Sequence, residues 1–328
     1  MASYLNKYPH LQANIKQVQA LIDQRVVVAN PQITQAVQAL NAAGGKFLRP
    51  AFFFLFTEFG PGVKDYTQKE KLLKVAASLE ILHIATLIHD DIIDDSPLRR
   101  SQVTIQAKFG KDVAVYTGDL LFTIFFELIL ETMQTSDYMA INAQAMKKIL
   151  MGELDQMQLY YKQDQTIDDY LQAIAGKTAA LFALAAQEGA YFGGADNHVV
   201  ALAETIGHKI GMAFQILDDI LDYSASAETF TKPVLEDLAQ GIYSLPLLIA
   251  IDQHPDYFGP LLSKKQTMTQ ADMEAVAKGV VDYGGLDGAR QMARSYTQEA
   301  LAAIDSLPDY KSKQTLKQLT QYLLKRKL

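Results

Sequence analysis

The sequence contains no cysteine and no tryptophan. Without thiols there is no disulfide, no thiolate zinc site and no cysteine nucleophile. Uninterrupted apolar runs of about 18 residues are also missing, so no transmembrane segment is expected. The stretch from Met1 to Gln17 lacks the apolar core of a secretion signal, and a cytoplasmic location is the expectation. Positive charge is in deficit, 30 Lys and Arg against 37 Asp and Glu, giving a net charge of -7. That balance disfavours nucleic acid as a partner. No Ser-, Pro- or charge-rich linker divides the chain, no short-period repeat appears, and no alternating apolar segment calls for strands.

What is present reads as helix. Apolar residues recur at three and four, as in Leu72, Val75, Ala76, Leu79, Leu82 and His83, and again in Leu202, Ile206, Ile210, Ala213, Leu217 and Ile220. The segments 81–88 and 120–126 carry no formal charge, as expected of helices buried at the centre of a bundle. The expectation is an all-α fold of roughly a dozen helices forming a single domain over residues 1–328.

Two acidic clusters follow apolar helical stretches. In the first, Asp90 and Asp94 stand four residues apart with Asp91 and Asp95 beside them, ahead of a helix stop expected at Pro97. Like charges at this spacing repel, and the helix dipole disfavours them at a C-terminus, so local stability does not explain them. In the second, Asp218 and Asp222 share a face, Asp219 is adjacent, and Gln215 lies one turn earlier. One such cluster is as easily a solvated helix end as a metal site. Two of them, 128 residues apart, point to hard divalent cations bridging to phosphate, because Mg2+ takes one or two carboxylates and completes its shell with water and phosphate oxygens. If the two helices face each other, the carboxylates form two walls of one diphosphate cavity.

Basic residues accompany them. Arg99 and Arg100 follow the first cluster and suit bidentate phosphate contact, although an isolated Arg pair is usually a surface feature. Gly44 and Gly45 precede Lys46 and Arg49 in a segment without P-loop spacing. Lys177 and Thr178 open an apolar stretch, His83 lies two turns before Asp90, and Lys232 follows the second cluster.

This constellation resembles the trans-prenyltransferases, the polyprenyl diphosphate synthase family. The matching segments are GGKFLRP, LEILHIATLIHDDIIDDSPLRR, GELDQM, GKTAALF, FQILDDILDY and, more loosely, KPVLEDLAQGIYSLPLL, spanning residues 44–248. The resemblance implies an isoprenoid synthase fold, a large helical bundle around a central cavity, and an enzyme condensing isopentenyl diphosphate onto an allylic diphosphate. It assigns Mg2+ and the allylic diphosphate to Asp90 and Asp94 with Asp91 supporting, and a further Mg2+ to Asp218 with Asp219 and Asp222. Arg99, Lys177 and Lys232 match contacts to the allylic diphosphate. Lys46, Arg49, His83 and Arg100 match the isopentenyl diphosphate pocket. Thr178 and Gln215 match positions near the developing carbocation, and Glu153 and Gln156 match polar positions beside the metal.

The resemblance also implies that residues about one turn before Asp90 set product length. Ala85 and Thr86 are small there, leaving Ile81, Leu82, Phe122, Phe125 or Phe126 as deeper floor candidates, though an aromatic stripe is more often core. The product expected is about six to eight isoprene units, as for a quinone side chain, with a farnesyl or geranylgeranyl product as the alternative. Three positions depart from the family pattern: Ser101 and Thr231 replace glycines, and Ile242 replaces a common lysine. That loss of lysine also occurs in catalytic subunits of two-component synthases, so the implied assembly is a homodimer or a heterodimer with a small regulatory subunit.

Other readings are weaker. A class I terpene cyclase would mix Asn, Ser, Thr and Glu in its second motif, a non-catalytic subunit tends to lose its aspartates, and a di-iron bundle would carry Glu-x-x-His.

Overall fold

The structure, a computed structural model, describes residues 7–42, 47–62, 65–99, 102–228 and 235–324. The all-α expectation holds, with one minor addition. Packing divides the chain into two compact units, Met1–Ala143 with Ala185–Ala203, and Gln144–Leu184 with Glu204–Leu328.

The first unit begins with α1 (Pro9–Arg25), α2 (Pro31–Ala42) and α3 (Leu48–Thr57). These lead to its longest helix, α4 (Tyr66–Ile93). Asp65 caps α4, its side chain accepting from the Gln68 N–H at 2.8 Å. Residues Val75 to Leu82 are all buried, so the middle of α4 is core on every side. Beyond it the less buried positions are His83, Thr86, Leu87, His89, Asp90, Ile92, Ile93 and Asp94. His83, Thr86 or Leu87, Asp90 and Asp94 follow helical spacing and form one open stripe.

The helix stops before Pro97. Asp94 is its C-cap, and Asp95 takes a left-handed φ of 50°, a conformation Asp tolerates better than most residues. A short antiparallel ribbon follows, β1 (Leu98–Arg99) and β2 (Gln102–Val103), pairing Leu98 with Val103 and Arg99 with Gln102. The sequence reading expected no strands, because two-residue strands are too short to show alternation. The unit continues through α5 (Ile105–Phe109) and α6 (Lys111–Met133), which packs along α4.

By length and composition α4 and α6 are apolar enough to cross a bilayer, although polar residues interrupt both. Both serve as core helices: 67% and 44% of their most apolar windows are buried.

The second unit takes most of α7 (Tyr138–Gln158), α8 (Ile167–Ile174), the start of α9 (Ala180–Phe192) and most of α10 (Asn197–Glu228). It also holds α11 (Glu236–Gln240), α12 (Leu245–Gln253) and the remaining helices to Leu324. A capping box fixes the start of α8: Thr166 accepts from the Asp169 N–H, and Asp169 accepts from the Thr166 N–H. Between α8 and α9, residues Ala175–Ala179 form a π-helical turn. The Lys177–Thr178 pair therefore sits in an irregular turn, a feature often found at functional sites.

Candidate active site

In the first unit, the first aspartate cluster does not behave as four equivalent acids. Asp90 and Asp94 lie on the open stripe of α4, whereas Asp91 is 3% exposed. Arg99 Nε donates to Asp91 Oδ1 at 2.5 Å. The ribbon carrying Arg99 is anchored by Thr104, whose hydroxyl donates to Ser96 O at 2.7 Å. Arg99 is thus held against the end of α4. Arg49 lies half-buried in the first turn of α3, and His83 is half-buried on α4. Lys46, Arg100 and Lys232 lie outside the described residues, as do Ser101 and Thr231.

Thr86 is on the open stripe and turns its hydroxyl to His83 O at 2.9 Å. Ala85, Ile81 and Leu82 are fully buried. Phe122 on α6 stacks on His89, with ring centroids 5.2 Å apart and planes 10° from parallel. The His89 ring also meets Ala85 O at 3.0 Å and Asp119 Oδ1 at 3.1 Å. Gly118 permits this approach, since a Cβ there would lie 2.3 Å from the imidazole. Sequence reasoning did not single out His89 or Asp119, because their pairing joins residues thirty apart on different helices.

In the second unit, helices are drawn together by glycine contacts. A Cβ on Gly152 would lie 2.5 Å from Lys177 N, and one on Gly211 would lie 2.6 Å from Ala179 Cα. Backbones therefore touch at both places. The first contact sets Lys177 beside α7, where Nζ donates to Glu153 Oε2 and Gln156 Oε1, each at 2.9 Å. The second sets the π turn beside α10. Thr178 Oγ1 donates to Gln215 Oε1 at 2.7 Å, and Gln215 Nε2 donates to Asp219 Oδ1 at 2.9 Å. The other Asp219 oxygen accepts from Tyr170 OH at 2.6 Å.

The three acids of the second cluster differ as well. Asp219 is buried, which pushes its carboxyl up to about 8, with Asp237 adding to the effect. Asp222 is pushed up to about 6 by burial and by Asp237. Its Oδ1 accepts from the Leu235 N–H at 3.2 Å, while its buried Oδ2 has no hydrogen-bond partner among the described residues. Asp218 is half-buried. Ile242 lines a small recess with Gln156, Tyr170 and Tyr243, so an aliphatic side chain stands where the family pattern has a lysine.

All the donors suited to a cation are oxygen atoms, which favours Mg2+ or another hard ion over a softer metal. Among the described residues no three His, Asp or Glu side chains converge as a ready-made chelate. This suits an ion that arrives with its phosphate ligand and keeps several waters.

An all-helical fold carrying two separated aspartate clusters, Arg and Lys groups near them, and a Thr–Gln pair beside one cluster defines a prenyltransferase of the isoprenoid synthase kind. The chain belongs to the polyprenyl synthetase family, whose signature matches residues 30–280. It is 33% identical over 320 residues to heptaprenyl diphosphate synthase component 2 of Bacillus subtilis (strain 168), covering 98% of this chain and 90% of that one. Among solved structures, it resembles geranylgeranyl pyrophosphate synthase from Lactobacillus brevis ATCC 367 with a TM-score of 0.94 and 43% identity, over 98% and 99% of the two chains. It resembles heptaprenyl diphosphate synthase from Staphylococcus aureus with a TM-score of 0.90 and 32% identity, over 97% and 99%. The protein is a trans-prenyl diphosphate synthase. The family joins isopentenyl diphosphate to allylic diphosphates and uses divalent metals. The relatives differ in product length, so likeness leaves that length open.

Proposed function

We propose that this chain is a cytoplasmic, Mg2+-dependent synthase whose product contains about six to eight isoprene units. The observation that carries the reading is the Thr178–Gln215 pair, 2.7 Å apart on one side of the second aspartate cluster, with Lys177 one residue away. Two uncharged oxygens and a cation suit a reaction that releases diphosphate and leaves an allylic cation.

Asp90 and Asp94, with Asp91 supporting, would hold Mg2+, Asp218 with Asp219 and Asp222 would hold a further Mg2+, and bound Mg2+ would draw charge from the leaving diphosphate. Lys177 and Arg99 bind diphosphate oxygens, exchanging their present carboxylate partners for phosphate. Arg49 and His83 bind isopentenyl diphosphate together with Lys46 and Arg100, and Lys232 adds to the allylic side. The oxygens of Gln215 and Thr178 lie near the positive carbon, and the double bond of isopentenyl diphosphate attacks it. Released diphosphate takes the proton, so no protein nucleophile is required. Small side chains at Ala85 and Thr86 support a product beyond geranylgeranyl. The likeness to the Lactobacillus brevis enzyme supports the shorter alternative.

A homodimer is proposed from α6, where Val115, Tyr116, Leu120, Phe126 and Leu130 are exposed along one helix. An apolar stripe of that length suits a second copy of the chain. A small partner subunit is the alternative, suggested by the Bacillus relative being one component of its enzyme and by Ile242. One incubation tests the reading: purified chain, Mg2+, farnesyl diphosphate and labelled isopentenyl diphosphate, with product length and solution mass measured. Linear diphosphates of six to eight units from a dimer support it. A cyclic hydrocarbon, or turnover only after a second subunit is added, overturns the corresponding part.

A further inference from the structure

We propose that Tyr170 is a positioning residue for the condensation: through Asp219 its hydroxyl fixes which end of the Gln215 amide faces Thr178. The inference rests on the reading above that Gln215 and Thr178 lie beside the reacting carbon.

Gln215 and Asp219 are one turn apart on α10 and hydrogen-bonded to each other at 2.9 Å. The pair is gripped from both ends, by Tyr170 OH on Asp219 and by Thr178 Oγ1 on Gln215. Tyr170 and Asp219 are both 5% exposed, so water does not substitute for either group. A side-chain amide has a donor end and an acceptor end. Tyr170 OH donates to Oδ2 of Asp219 and the Gln215 NH2 donates to Oδ1, so both carboxyl oxygens act as acceptors in this arrangement. The NH2 end of the amide is thereby engaged by Asp219, and its oxygen is turned to Thr178. Without the Tyr170 hydroxyl, the Asp219 carboxyl group can rotate away from Gln215, and the amide loses its single orientation. An NH2 group in place of the oxygen would put positive edge charge where an allylic cation develops.

The π turn makes the grip possible. Eight residues of regular α-helix would leave Tyr170 and Thr178 about 80° apart around the axis, whereas one extra residue in a π turn brings them within about 20°. Both side chains can then meet the same face of α10.

The test is steady-state kinetics with product partition. Tyr170→Phe keeps the ring and its volume. It should lower kcat about tenfold or more with both KM values within about twofold, and raise the share of allylic substrate released as alcohol through water capture. Gln215→Ala should show the same defects, and the double variant should be no worse than Gln215→Ala, because both changes remove one function. The Mg2+ concentration for half-maximal rate should be unchanged in Tyr170→Phe. If that variant does not fold, Tyr170→His, which keeps a ring able to donate a hydrogen bond, should retain more of the wild-type partition than Tyr170→Leu, and equal partition in the two would overturn the inference. Wild-type kcat and partition in Tyr170→Phe, or defects that multiply in the double variant, would overturn the inference. An inactive wild-type chain would instead count against the catalytic reading on which it rests.

Discussion

Lys177 donates to Glu153 and Gln156 at 2.9 Å each, so the cation assigned to diphosphate is already oriented by two acceptors on a neighbouring helix. Glu153→Gln removes a charge-assisted bond and leaves Lys177 more freedom, while Lys177→Ala removes the cation itself. Lys177→Ala is expected to lower kcat/KM by at least about a hundredfold, and Glu153→Gln by several-fold. Initial-rate kinetics on allylic diphosphate would check both, and equal effects would show that Glu153 does more than orient.

Asp91 and Arg99 form a second such pair, with the carboxylate buried and the guanidinium partly exposed. Arg99→Ala leaves a buried acid without that partner. A stability loss of about 1–3 kcal/mol is expected, reduced from the fully buried case because solvent reaches Arg99. Urea unfolding with a circular dichroism readout measures it, and wild-type stability would mean that the pair does not form in solution.

No ready-made chelate appears among the described residues. Calorimetry with Mg2+ alone should therefore show weak heats, and with inorganic diphosphate present a clear saturable signal. Asp90→Ala and Asp218→Ala should each abolish most of that signal and most turnover while far-ultraviolet dichroism stays native. Tight Mg2+ binding without diphosphate would contradict this arrangement.

Ala85 is fully buried one turn before His89, whose ring stacks on Phe122. Ala85→Phe should shorten the product, with an overpacking cost of about 1–3 kcal/mol. Chromatography of the dephosphorylated products gives the length. An unchanged length in a folded variant would place the tunnel elsewhere.

Glu188 supplies a pH prediction unrelated to the metal-binding aspartates. Asn142 Nδ2 donates to it at 2.6 Å, and burial pushes its carboxyl from 4.5 up to about 8. Between those values the folded state holds a proton that the unfolded chain has released. Stability contributed by the neutral acid is thus full below about pH 4.5 and is lost as pH rises toward 8. Glu188→Gln should flatten this fall and raise Tm at pH 8.5 more than at pH 5. Thermal melts at both values check it, and equal shifts would show that Glu188 does not titrate in this range.

Much of the site could be read directly from the chain. Helical periodicity identified α4 as a core helix, although His83 of that stripe lies on its open side, and acids placed after an apolar helix stood out because local energetics opposes them. Tyr170, His89 and Glu188 did not stand out. Each is defined by a partner thirty to about fifty residues away, and none lies in a motif whose spacing reveals that partner.

Residue type and spacing determined an all-helical chain with carboxylates and cations suited to a diphosphate, since those properties depend on local periodicity and side-chain chemistry. Tertiary structure decided how similar residues divide their work. Asp90 and Asp94 remain on an open stripe while Asp91 pairs with Arg99, and Asp219 is enclosed by Tyr170 and Gln215 while Asp218 is half-buried. The reason is geometric: the ribbon after α4 turns Arg99 back onto Asp91, and around the second cluster glycine-mediated helix contacts and a π turn bring together groups that sequence spacing keeps apart.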